Sequence, residues 1–175
     1  MASTKRTYII TGMGRSGTSF LAESLKKNGI DIGKEFYMGE DPYHGYEDKE
    51  LVDITKTILV KAGQGCGIHA KPARRNRITV SYKILQNKIK EYLKSKKNKT
   101  WGVKEPRLSL ILDKFINEID DDDPFIYVAF RKPRYVARSL NKLNSQINRK
   151  EAEETAKEYN RRLLESLSKF LELND

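Results

Sequence analysis

Cysteine is nearly absent. Cys66 is the only one in 175 residues, so no internal disulfide forms, and the chain suits a reducing, cytoplasmic compartment. Long apolar runs are missing too: none approaches the roughly 20 residues of a membrane-spanning helix, so no membrane partner is expected. The basic start MASTKR runs straight into the strand-like TYIIT, and no cleavable leader is read there. Internal repeats and low-complexity linkers are lacking, which leaves residues 1–175 as one expected domain. The basic clusters KPARRNR (71–77) and KSKKNK (94–99) contain no interleaved aromatics. The stacking platform of a single-strand binder is therefore absent, and no nucleic-acid partner is expected.

Hydrophobic residues make up 38 % and charged residues 33 %, enough for one packed core under charged faces. The net charge of +10 biases the surface toward anionic small molecules.

The stretch TGMGRSGTSF (11–20) is a phosphate-loop pattern without its lysine. A triphosphate loop reads G-x-x-x-x-G-K-[ST]. Gly12 and Gly17 keep that spacing and Ser19 fills the last position, but Thr18 stands where lysine belongs. A cation appears three residues earlier, as Arg15. Before the loop lies TYIIT, a β-rich run; after it, TSFLAESLKKNG spaces Leu21 and Leu25 four apart and stops at glycine. Strand, loop and helix thus follow in the order that such a loop requires.

Further along, residues 30–46 carry no clean period and read as loop. EDKELVDITKTILVKAG regains helical spacing through Leu51, Ile54 and Ile58; GQGCGIHAKPARRN reads as irregular; Tyr82 to Leu93 reads as an amphipathic helix. TWGVK (100–104) is a second strand, followed by a helix with Pro106 in its first turn that runs on through LSLILDKFINEI. Asp120 to Asp123 reads as a solvated turn, and PFIYVAF (124–130) as the most plainly buried strand. The remainder is helical, with Ala156, Tyr159, Leu163, Leu167 and Phe170 forming a core-facing stripe. This alternation predicts a three-layer α/β fold with a central parallel sheet flanked by helices. Ligands of such sheets sit beyond the carboxyl ends of the strands. Three loops leave those ends, Gly12–Gly17, Lys104–Arg107 and Arg131–Arg134, and each carries a cation.

In the first loop, Gly14 and Gly17 permit close backbone approach, Ser16, Thr18 and Ser19 offer hydroxyls, and Arg15 offers a forked cation. Metal-dependent triphosphate enzymes place a carboxylate at the end of a buried strand. Here FIYVAF ends in Arg131 instead, which suits an anion neutralised by protein alone, with no metal required.

GRSGTSFL resembles the 5′-phosphosulfate loop of sulfotransferases that use 3′-phosphoadenosine 5′-phosphosulfate (PAPS). In FIYVAFRKPRYVARSL, Arg131 and Ser139 stand eight apart, as in that family's 3′-phosphate signature. WGVKEPRLSLIL and GYEDKELVDIT are similar to segments of its bacterial and carbohydrate-directed branches. The resemblance implies a P-loop-type fold, PAPS as co-substrate, 3′-phosphoadenosine 5′-phosphate (PAP) as product, and a hydroxyl, amine or glycan acceptor. It places Arg15 at the bridge of the phosphosulfate. Ser16, Gly17, Thr18 and Ser19, beside Gly14, would lie around the 5′-phosphate, with Arg131 and Ser139 on the 3′-phosphate. Phe20 falls where the cytosolic branch stacks adenine, with a plain core phenylalanine as the other reading. Glu105, Glu47, Glu35 and His44 are candidates for the general base, and Lys104 and Arg107 for anion contacts. Two other classes stay open: a nucleotide-type kinase with an altered loop, and a binding protein that holds PAPS or PAP without chemistry. The oligomeric state is not legible in the sequence.

Overall fold

Strand β1 (Thr7–Thr11) is buried along almost its whole length, and that places it in the middle of the sheet. The computed structural model describes residues 6–33, 45–65, 67, 69–96, 99–121 and 124–172. Strands β2 (Trp101–Lys104) and β3 (Phe125–Val128) pair with β1 in parallel on either side, in the order β2-β1-β3. Ile9 faces Val103 and Ile126 across the register. Because strand side chains alternate between faces, β1 serves two layers. Ile10 packs with Ala22, Leu21 and Leu25 of α1 (Thr18–Lys27). Ile9 packs into the larger core under α2 (Lys49–Lys61), α3 (Arg75–Lys96), α5 (Pro133–Leu143) and α6 (Arg149–Glu172). A short helix α4 (Leu112–Ile116) adds Phe115 to the same core. The chain is thus a three-layer α/β fold with a three-stranded parallel sheet at its centre.

Three local expectations are corrected. Pro106 does not open one continuous helix: Pro106–Leu110 is a 3₁₀ turn, and α4 begins only at Leu112. Ile111, at φ −138° and ψ 16°, leaves the helical region and breaks the run. Helix α3 starts at Arg75, before the apolar stripe at Tyr82, so part of the basic segment thought irregular is helical. Its first turn is held from outside, by an ion pair between Arg75 and Glu165 of α6. The strand read as the most buried is an edge strand, with Phe125 41 % exposed. Phe125 and Tyr127 share a face with Tyr8, whose ring stacks on that of Phe125 at 5.2 Å, while α1 covers mainly the β1 and β2 side.

Among the described residues, no helix is long and apolar enough to cross a membrane.

Candidate functional site

The loop after β1 has to turn sharply, and two positions show how. At Gly12 (φ 139°), a Cβ would sit 2.4 Å from the Ala129 carbonyl oxygen, so only glycine lets the loop pass β3. Gly17, at φ 105°, is the residue from which α1 springs. No side chain caps that helix and no acidic residue occupies its first turn, so its leading N–H groups and positive end face outward. Arg15 adopts φ 70°, a left-handed conformation that a side chain rarely takes. That conformation connects two loops: the Arg15 carbonyl accepts from Arg131 Nη1 (3.0 Å), while Arg15 Nε donates to Ser139 Oγ (3.1 Å). Ser109, on the 3₁₀ turn, steadies the base of the loop. Its Oγ donates to the Pro106 carbonyl (2.7 Å) and accepts from the Gly12 N–H (3.2 Å). No pattern in the sequence marks Ser109, because Thr11 and Gly12, the partners that tie it to the loop, lie at the end of β1.

The three strand-end loops converge. Gly14, Arg15, Gly17, Thr18, Ser19, Lys104, Arg131 and Ser139 line one cleft of ≈ 260 Å³, together with Glu47 and Pro106. Ser16 is not on its wall, and its buried Oγ has no hydrogen-bond partner among the described residues. Phe20 is 74 % exposed, which removes the core reading of that ring.

Lys104 and Glu47 are each 2 % exposed. The ammonium donates to Glu47 Oε1 (2.8 Å), the Gly45 carbonyl (3.0 Å) and Ser19 Oγ (3.2 Å), which occupies all three of its hydrogens. Lys104 therefore ties β2 to the start of α1 and to the segment before α2, where Glu47 pairs with it in a parallel bridge. Glu47 is not in the helix; Asp48 is the cap, accepting from the Leu51 N–H.

Glu105 is fully buried and does not line the cleft. One carboxylate oxygen accepts from the Arg107 N–H (3.0 Å) and from its guanidinium (2.8 Å), capping the 3₁₀ turn. Burial pushes its pKa up, against the pull of Arg107 and with a further rise from Glu47. Arg107 is likewise buried and turned to Glu105, with Glu47 Oε2 at 3.9 Å. Of the carboxyl candidates, then, Glu47 reaches the cleft and Glu105 does not; Glu35 and His44 lie outside the described residues, as does Cys66.

The arrangement supplies an anion with backbone N–H groups, a helix end, hydroxyls and two arginines, beside a single carboxylate held by a lysine. Comparison with protein-family models, with curated proteins and with solved structures found no match to this chain.

Proposed function

We propose that the protein is a PAPS-dependent sulfotransferase, moving a sulfuryl group to a hydroxyl or amine acceptor, a small molecule or a glycan. The observation that carries this reading is the joining of Arg15 to both Arg131, before α5, and Ser139, within it, more than a hundred positions away. A nucleotide with one phosphorylated group at its 5′ position and another at its 3′ position needs two cationic centres side by side, and these two loops supply them. The cleft of ≈ 260 Å³ suits a phosphosulfate rather than a whole nucleotide. Adenine would then lie outside it, where the exposed ring of Phe20 offers a stacking face.

In sulfuryl transfer the acceptor oxygen bonds to sulfur as the P–O–S bridge breaks, and the electron pair of that bridge stays on the departing 5′-phosphate. Arg15 and the amides of the loop balance that charge. Glu47, the carboxylate on the cleft wall, takes the acceptor's proton, and Lys104 fixes Glu47 and Ser19 relative to each other. The single cysteine favours a cytoplasmic setting.

Thermal stabilisation by PAP, by ADP and by ATP with and without Mg tests the reading. A ligand that binds only the native state adds about 2.7 kcal/mol at a hundredfold excess over its dissociation constant. A shift with PAP that ADP does not produce and Mg does not alter is the expected result. A shift with ATP and Mg alone would favour a kinase and defeat the proposal.

A further inference from the structure

Residues 131–150 hold seven Lys or Arg and no Asp or Glu, although the whole chain sets 34 cationic residues against 24 acidic ones. The fold gathers much of this imbalance in one place. Arg134, Arg138 and Lys142 follow one another at four-residue intervals along α5, and all three are exposed. Arg149 and Lys150, in the first turn of α6, stand across from the first two. Arg134, Arg138, Arg149 and Lys150 line an open cleft of ≈ 650 Å³ together with Tyr135 and Glu153, and Lys142 is not on its wall.

Several cations elsewhere meet carboxylates: Lys96 meets Asp48, Arg162 meets Glu158, and Arg161 meets Glu158 and Glu165. On this face they do not. Arg134 donates to the Tyr135 hydroxyl (3.1 Å) and Arg149 Nε to Asn141 Oδ1 (2.8 Å), both neutral acceptors. Glu153, the one carboxylate on the wall, is shared with Lys157 at 3.0 Å. Four like charges around a concave surface repel one another, and among the described residues only Glu153 stands against them on the wall; an external polyanion would offset the rest. Guanidinium forks bind carboxylate, sulfate and phosphate oxygens alike. A single-stranded nucleic acid would also need an open aromatic face, but the ring of Tyr135 is capped by the Arg134 guanidinium 4.8 Å from its centroid.

We infer that the α5–α6 cleft docks an acidic sugar chain bearing sulfate or uronate groups. Helix α5 carries Ser139 into the loop cleft and Arg138 into this one, so a chain seated on Arg134 and Arg138 is held beside the transfer site. Its role as acceptor rests on the sulfotransferase reading; the anion site itself does not.

The test is calorimetric titration with a size-defined heparin hexasaccharide. Controls are an uncharged dextran hexasaccharide and single-stranded and duplex oligonucleotides of matched charge. The expected result is salt-sensitive binding of the heparin fragment alone, weakened at least tenfold in an Arg138→Glu, Lys150→Glu double variant that melts like the parent and keeps its PAP affinity within twofold. Equal binding by the variant, no binding by the parent, or tighter binding of an oligonucleotide would overturn the inference. Heparin binding by a parent protein that ignores PAP would instead defeat the nucleotide reading and leave this one standing.

Discussion

The two cationic ends of the sheet are built in opposite ways. Beyond β2, Lys104 and Arg107 are buried and each is matched by a carboxylate, Glu47 and Glu105. Beyond β3, Arg131, Arg134 and Arg138 are exposed, and their described hydrogen bonds go to a carbonyl or a hydroxyl rather than to a carboxylate. The first set is committed to holding three segments together. The second is left for something from outside. Equal charge therefore predicts unequal consequences: removal at the β2 end should act on stability, and removal at the β3 end on binding.

The largest effect is expected for Lys104→Met, which takes the close partner from the buried Glu47 carboxylate and leaves Arg107 at 3.9 Å. Loss of one partner of a buried ion pair costs about 3–5 kcal/mol, to be read from urea unfolding. At the β3 end the tight element is backbone rather than charge, so Gly12→Ala should approach that loss. The added Cβ meets the Ala129 carbonyl at 2.4 Å from a backbone at φ 139°, for roughly 2–4 kcal/mol by the same assay. Arg131→Ala should reverse the pattern. Its unfolding free energy should stay within about 0.5 kcal/mol of the parent, while PAP affinity falls on the order of 10- to 100-fold, as expected for a lost charge-assisted contact. If Arg131→Ala unfolded the protein and Lys104→Met only weakened PAP, the contrast between the ends would collapse.

A third arrangement, paired and half-buried, serves as the control. Hydrogen bonding from Arg161, aided by Arg162 against a smaller effect of burial, holds the Glu158 pKa at about 2 rather than the ordinary 4.5. A depressed acid stabilises the fold above the unfolded value and loses that contribution as the pH falls through its own pKa. Glu158→Gln should thus flatten the acid limb of stability between about pH 5 and pH 2, by less than roughly 1 kcal/mol, since the pair is solvent-screened.

How much of this was legible in the sequence depended on how local each signal is. The strand–loop–helix around Gly12–Ser19 could be read because each of its parts follows the last, and Arg131 and Ser139 because eight residues separate them. The edge position of β3 was not readable from FIYV, since apolar composition says nothing of which strand ends up in the middle. Glu47 and Glu105 were equally good candidates on paper. What separates them is that Lys104 turns toward Glu47, 57 positions away, while Glu105 folds back onto Arg107. The early start of α3 was hidden for a similar reason, because its first turn depends on Glu165 in another helix. The unpaired charge on α5 was visible as composition, but its meaning needed α6 to close the cleft.

Arg131 is proposed to read a 3′-phosphate beside the Arg15 loop. The most direct test is a cycle of four affinities, PAP and adenosine 5′-phosphate each titrated into the parent protein and into Arg131→Ala. The account expects the parent to prefer PAP by at least tenfold and the variant to lose most of that preference, while binding adenosine 5′-phosphate as the parent does. An undiminished preference for PAP in the variant would contradict it.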